Sequence, residues 1–148
     1  MSNVEIARAM TNHHAEMVNA LEGRIDLLVS STENWQEGRN AVVSYLLNDV
    51  LPHAEAEEST IYSAALQFVR LTALVRSMMW EHTIIRELTQ ALQESIQRDH
   101  ALMLAMQVSK LFWVHAEKEN RYVIADFAPE PDIDLHAILG AMHDALAG

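Results

Sequence analysis

The sequence predicts an all-α protein, an antiparallel up-down-up-down four-helix bundle followed by a short C-terminal helix. Glycine and proline, which interrupt helices, number only four and three among 148 residues. No run alternates apolar and polar residues in the way that half-buried strands do. Apolar residues instead recur every three or four positions along four long segments, a pattern typical of four-helix bundles when the segments are joined by short turns.

The first predicted helix covers residues 4–29, and its apolar residues share one stripe. The stripe consists of Ile6, Met10, Met17, Leu21, Ile25 and Leu28. Polar residues at 30–34 end this helix, and either Thr32 or Asn34 is expected to cap the next one.

The second helix is predicted over residues 35–64, with one irregularity. Pro52 lies inside it. Because the proline ring should clash with the carbonyl group of Asn48, we expect a kink just before His53.

Two further helices are predicted over residues 69–95 and 98–127, separated by a tight turn. A linker with two prolines follows at 128–132, and Asp134 is expected to cap a short helix that ends near Leu146. We therefore expect a single domain over residues 1–148. Its bundle core would be residues 4–127, with the linker and short helix in 128–148.

The composition limits the partners and the chemistry. Cysteine is absent, so any bound metal must be held by nitrogen and oxygen. The formal net charge of −11 argues against nucleic acid and anionic membranes as partners. No apolar run is long enough to span a bilayer and no signal pattern is present, so we expect a soluble, cytoplasmic protein.

Two segments carry the residues that most need explanation. LPHAEAEESTIY (51–62) and HAEKENRY (115–122) each contain a histidine followed four residues later by a glutamate. Residues four apart lie on one face of a helix. His53 with Glu57, and His115 with Glu119, can therefore reach the same point in the core.

The first and third helices each contribute an inward histidine. His14 lies between Met10 and Met17 on the first stripe, and the neighbouring His13, nearer the edge of that stripe, is the second choice for the same role. His82 lies on the apolar stripe of the third helix. Every helix of the bundle thus directs one histidine into the core.

These side chains together predict a site for two metal ions. Buried imidazoles and carboxylates without partners would be costly, and both groups are good metal ligands. The predicted ligands are two bridging carboxylates, Glu57 and Glu119, and two histidine pairs, His14 with His53 on one metal and His82 with His115 on the other. Neither Glu-x-x-His nor His-Glu-x-x-His occurs, which excludes the ferritin-type di-iron pattern and the zincin proteases.

Other charged residues near these motifs are expected to face solvent. A solvated acidic rim is predicted from Glu55, Glu58, Glu81 and Glu117. Three further histidines are predicted to be exposed and without a role, His100, His136 and His143.

The ordered set of motifs resembles the hemerythrin-like family of HHE cation-binding domains. The phrases LPHAEAEESTIY, EHTIIREL and HAEKENRY are similar to local signatures of that family, and the resemblance covers residues 10–127. It implies a four-helix bundle with two iron ions in a non-haem centre, oxo- or hydroxo-bridged when oxidised. The ligands it implies by position are His14, His53, Glu57, His82, His115 and Glu119.

One departure from the family pattern affects function. Oxygen-carrying members have a second histidine one turn along the third helix, where this chain has Arg86 after His82 and Met78 before it. The site therefore has four histidines, which puts reversible oxygen carriage in doubt. An oxygen donor could take the vacant position, either water or a tyrosine such as Tyr122 or Tyr45.

Three hypotheses follow for the activity. The first is a di-iron protein that binds or reduces a small oxidant (peroxide, dioxygen or nitric oxide), with catalase-like turnover of peroxide as one form and oxidative stress as the setting. The second is a non-catalytic oxygen or redox sensor or an iron-handling module. The third is a structural bundle in which the histidines are incidental.

Overall fold

The computed structural model of the protein describes all of residues 1–148 and contains helices and no strands. The helices are α1 (Asn3–Ser30), α2 (Trp35–Tyr45), α3 (Leu51–Ser59), α4 (Ile61–Ala65), α5 (Val69–Glu94), α6 (Arg98–Glu119), α7 (Ala125–Phe127) and α8 (Leu135–Ala147). A first π turn, Leu46–Val50, joins α2 to α3, and a second, Asn120–Ile124, joins α6 to α7. The predicted all-α class and helical bundle are confirmed, whereas the up-down-up-down order stays a prediction. None of the helices combines the length and the apolar composition that crossing a bilayer requires.

Side chains at the helix ends explain several boundaries. The Ser2 hydroxyl accepts a hydrogen bond from the Glu5 backbone, and the Glu5 carboxylate accepts one from the Ser2 backbone, which forms a capping box at α1. Asp134 caps α8, as predicted, by accepting a bond from the backbone N–H of Ala137. Asn34 occupies the N-cap position of α2, but its side chain makes no capping bond.

The second predicted helix is interrupted twice. Before Pro52 the backbone widens into the first π turn, in which the Leu51 N–H donates to the Leu46 carbonyl. This wider turn accommodates the proline ring within the helix. The helix then breaks at Thr60, whose φ and ψ are −123° and −88° and whose hydroxyl donates to the Ala56 carbonyl at 2.6 Å. The prediction of an unbroken helix to residue 64 is therefore wrong at residue 60.

The apolar core is divided into two clusters. The first cluster includes Leu21, Leu28, Leu46, Val50, Ile85 and Val108. The second cluster includes Ile6, Met10, Ile61, Val75, Met78 and Phe127. Helices α1 and α5 each pass from one cluster to the other, and the buried histidines and glutamates lie between the clusters; His82, for example, lies between Met78 and Ile85.

The C-terminal helix is fixed to the bundle near its first turn. The Asn3 side chain donates to the Ile133 carbonyl at 2.8 Å and accepts from the Leu135 backbone N–H at 3.1 Å. Further along, α8 packs against α1 and α3. These contacts place α8 beside the layer of buried polar residues.

Candidate metal centre

The structure brings all six predicted ligands together in a buried layer between the two apolar clusters. None of the six is more than 6% exposed. They come from four separate helices, α1, α3, α5 and α6. Geometrically they form two halves that share one carboxylate.

The first half, named here the His14–His53 half, is built by α1 and α3. The Nε2 atoms of His14 and His53 lie 3.2 Å apart. Oε1 of Glu57 lies 2.8 Å from Nε2 of His53 and 3.3 Å from Nε2 of His14. Three potential ligand atoms thus converge on one point, close enough to surround a single metal ion.

The second half, the His82–His115 half, is built by α5 and α6. The Nε2 atoms of His82 and His115 lie 2.9 Å apart. The other carboxylate oxygen of Glu57, Oε2, lies 3.4 Å from Nε2 of His82. Glu57 therefore presents one oxygen to each half, which is the arrangement of a bridging carboxylate.

Glu119 lies between the same two halves. Its Oε1 atom is 3.9 Å from Nε2 of His14, and its Oε2 atom is 3.9 Å from Nε2 of His115. Oε1 is buried and has no hydrogen-bond partner. Such an unpaired buried acceptor is rare in folded proteins and indicates a missing partner.

Two carboxylates outside the predicted set orient the second half. Nδ1 of His82 donates to Glu58 at 2.8 Å, and Nδ1 of His115 donates to Glu81 at 2.8 Å. A carboxylate only accepts hydrogen bonds, so each Nδ1 carries the proton and each Nε2 is left facing the centre. The prediction that Glu58 and Glu81 belong to a solvated rim is therefore wrong.

Cations in turn hold these two carboxylates. Arg86 lies 3.6 Å from Glu58, and Lys118 pairs with Glu81. Arg86, one turn after His82 on α5, therefore lies behind Glu58 and does not face the centre. The other rim residues stay near solvent, with Glu55 exposed and Glu117 half-buried.

The first half is supported by a neutral group instead. Nδ1 of His14 donates to the side-chain oxygen of Asn120 at 2.7 Å. Asn120 is the first residue of the second π turn, directly after Glu119. Asn120 was not predicted, because no histidine spacing marks it.

The donor set fits a bound cation. The Nδ1 atoms of His14, His82 and His115 are engaged with acceptors, so their Nε2 atoms face the centre. Close Nε2 pairs are favourable only with a cation, a proton or a metal ion, between the atoms. The unpaired oxygen of Glu119 faces the same space.

The ionisable side chains of the site have pKa values that are shifted in different directions. Burial raises the pKa of Glu119 to about 7, and the nearby charge of Glu57 adds to this effect. Burial also opposes ionisation of Glu57, yet His53, His14 and His82 hold the pKa of that carboxyl well below its usual value. Burial disfavours the charged form of His14, but the carboxylates of Glu119 and Glu57 raise the pKa of this imidazole to about 9. A metal ion that binds at this site would therefore have to displace protons from Glu119 and His14.

A tyrosine that the sequence did not single out completes the second half. The hydroxyl of Tyr62 donates to Oε2 of Glu119 at 2.8 Å and lies 3.0 Å from Nε2 of His115. Tyr62 is fully buried, and burial together with Glu119 raises its pKa well above the usual value. The two tyrosines proposed from the sequence lie elsewhere: Tyr122 is 56% exposed, and the Tyr45 hydroxyl donates to the Met17 carbonyl at 3.4 Å.

Tyr62 escaped prediction because of the break at Thr60. On an unbroken helix, Tyr62 would lie about 140° around the axis from Glu57 and would face away from the centre. The break redirects the chain, and α4 then carries Tyr62 inward. The only sequence signal was the pair Ser59–Thr60, whose hydroxyl groups both bond back to the Ala56 carbonyl.

The other histidines lie outside the cluster of Nε2 atoms. His13 is exposed, with its ring centroid 5.3 Å from that of His53, so α1 contributes His14 to the buried layer. Exposure was predicted for the remaining three and is found for His100, His136 and His143.

Comparison with protein families agrees with this geometry. The model of the hemerythrin HHE cation binding domain matches residues 5–127. The chain belongs to this family. The match to the hemerythrin family includes all six buried ligand candidates and Tyr62, and it ends before α8. No curated protein and no solved structure gave a significant match.

Proposed function

We propose that this hemerythrin-family chain binds two iron ions and uses them to bind or reduce a small oxidant. The observation that carries the proposal is the pair of ligand clusters that share Glu57, one with His14 and His53 and one with His82 and His115. A single metal ion would leave one cluster of buried polar groups without a partner, which is costly.

The ligands fall into three groups in this proposal. His14 and His53 would hold one iron, and His82 and His115 the other. Glu57 and Glu119 would lie between the two irons, and Tyr62 would be an additional oxygen ligand in the second half. Imidazole and carboxylate are ligands that suit iron, and the absence of cysteine excludes a thiolate donor. Bound there, two irons would supply electrons to an oxidant or take them back.

The two halves would then differ in the number of metal coordination positions that protein side chains occupy. Tyr62 adds a donor to the His82–His115 half, and nothing equivalent adds to the His14–His53 half. The small oxidant would therefore bind at the His14–His53 half, which lies between the two apolar clusters. Peroxide, dioxygen and nitric oxide are all small enough for such a position.

The arrangement assumes the predicted up-down-up-down order of the helices. The order of the core clusters supports it: α1 and α5 begin in the second cluster, whereas α2 and α6 begin in the first. Alternate helices would then run in opposite directions past the layer of buried histidines and glutamates.

Metal content and reactivity test the proposal together. Protein produced with iron should contain about two irons per chain and show near-ultraviolet and visible charge-transfer bands. The reduced protein should be oxidised by hydrogen peroxide, and His82→Ala should remove this reaction while His100→Ala, at an exposed histidine, should not. One zinc ion per chain, or equal reactivity of the two variants, would disprove the proposal.

A further inference from the structure

A cavity of about 260 Å³ lies between α1, α3 and α8 and ends at the layer of buried histidines and glutamates. Its floor is formed by His14 and His53, the two histidines of the less filled half. Ala9 and His143, both exposed, lie at its outer rim. The cavity thus connects the surface with the position where a small oxidant would bind.

The wall of this cavity is apolar. Met10 from α1, and Leu139 and Met142 from α8, line it, and both methionines are buried. Polar side chains are confined to the floor and the rim, where His13 is the second rim histidine. We name this space the apolar chamber.

The chamber is much larger than a diatomic ligand requires. A water molecule occupies about 30 Å³ of the liquid, and an apolar cavity of roughly 150 Å³ is enough to bind benzene. A cavity of about 260 Å³ with an apolar wall therefore has room for a group of several carbon atoms. A fully hydrated oxidant would lose hydrogen bonds against this wall and gain nothing from it.

We propose that the apolar chamber binds the alkyl group of a small organic hydroperoxide, with its oxygen atoms directed toward His14 and His53. This inference rests on the proposed function, since it names the substrate class of the same metal centre. One polar end and one apolar end match the polar floor and the apolar wall. The α8 wall lies outside the segment matched by the family model, so this selectivity belongs to residues 128–148 together with α1.

Binding of inert alcohols separates the chamber from the chemistry of the metals. Straight-chain alcohols from methanol to pentanol mimic the alkyl end of such a substrate and cannot be reduced. Their affinity for the iron-loaded protein, measured by ligand-observed NMR titration, should rise up to about fourfold per methylene until the chamber is full. An affinity that does not depend on chain length would overturn the proposal.

Filling the chamber should abolish this trend. Leu139→Trp places an indole ring in the chamber and should weaken butanol binding at least tenfold without loss of iron. Ala141→Trp adds the same ring at an exposed position of α8 that does not line the cavity, and should bind butanol like the unmodified protein. Ala9→Trp, at the rim on α1, should repeat the effect if Leu139→Trp does not fold. Equal butanol binding by the chamber-filling and control variants would contradict the proposal.

Substrate preference gives the second test. The rate at which butyl hydroperoxide oxidises the reduced protein, divided by the rate for hydrogen peroxide, should fall at least fivefold in Leu139→Trp and stay unchanged in Ala141→Trp. An unchanged ratio in Leu139→Trp would disprove the hydroperoxide assignment. If neither peroxide reacts while the alcohol series still binds, the oxidant chemistry fails and the chamber stands as an apolar binding site.

Discussion

The two halves of the centre share Glu57 and differ in almost everything around it. In the His82–His115 half both imidazoles donate to carboxylates, and the buried hydroxyl of Tyr62 fills the remaining space. In the His14–His53 half the support for His14 is a neutral amide, and the space beyond the histidines is the apolar chamber. Under the proposed function, the His82–His115 half would hold its metal firmly and the His14–His53 half would admit a ligand.

The two halves present similar ligand atoms to the centre but differ in the groups that support those atoms. The ligating atoms are nearly the same on both sides, two Nε2 atoms and one oxygen of Glu57. The groups behind them are not. A carboxylate behind a metal-bound histidine makes the imidazole a stronger donor, which a neutral amide does less well. The different roles proposed for the two halves therefore rest on the residues that contact the predicted ligands.

The largest effect is expected at the residue that the halves have in common. Glu57→Gln keeps the shape of the side chain but loses its negative charge, so both metals should bind at least about 100-fold more weakly. Metal content after dialysis measures this. Glu55→Gln, on the exposed side of α3, is the matched control. Retention of one metal at full affinity would show that the halves are independent.

Metal removal should destabilise the whole bundle. A ligand present at about 1,000 times its Kd stabilises the native state by about 4 kcal/mol. In a chain of this size that corresponds to a fall in Tm of roughly 10 °C when a chelator removes the metals. Thermal unfolding followed by circular dichroism tests this, and an unchanged Tm would favour a structural bundle with incidental histidines.

The groups that accept hydrogen bonds from the histidines should affect metal affinity differently in the two halves. Glu81→Ala should weaken metal binding at the His82–His115 half by about 10- to 100-fold, because His115 loses its acceptor. Asn120→Ala should weaken the other half less, since the amide it removes is uncharged. Competition with a chelator measures both affinities, with Glu117→Ala as the control. Equal losses of affinity in Glu81→Ala and Asn120→Ala would show that the charge of the supporting group does not distinguish the two halves.

The smallest effect on affinity is expected at Tyr62. Tyr62→Phe should retain both irons and cost about 1 kcal/mol of stability through the lost hydrogen bond to Glu119. It should remove any visible band due to charge transfer from phenolate to iron, whereas Tyr122→Phe, at an exposed position, should not. An identical spectrum after Tyr62→Phe would show that this hydroxyl does not bind the metal.

Helical spacing was enough to predict the helical bundle and the convergence of the six buried residues that are the predicted ligands. That information is local, because an apolar stripe and a His-x-x-x-Glu pair fix which face of one helix points inward. That these residues hold iron stays a prediction.

The supporting residues could not be read in the same way. Glu58 and Glu81 reach their histidines across helix interfaces, so the spacing within one helix does not reveal them. Tyr62 depends on the break at Thr60, where side-chain hydroxyls compete with the helical hydrogen bonds. Helical periodicity therefore could not predict the direction of Tyr62, because the helix is interrupted two residues before it.

The two π turns have a consequence for how this chain tolerates insertions and deletions. Each wider turn offsets the angular phase of a helix before and after it. Removing one residue from Leu46–Val50 would rotate His53 and Glu57 by about 100° relative to the packed surface of α2. The α2 residues of the first apolar cluster could stay packed while the predicted ligands turn away from the centre. The π turn between α2 and α3 therefore lets the packed face of α2 and the ligand-bearing face of α3 be oriented separately.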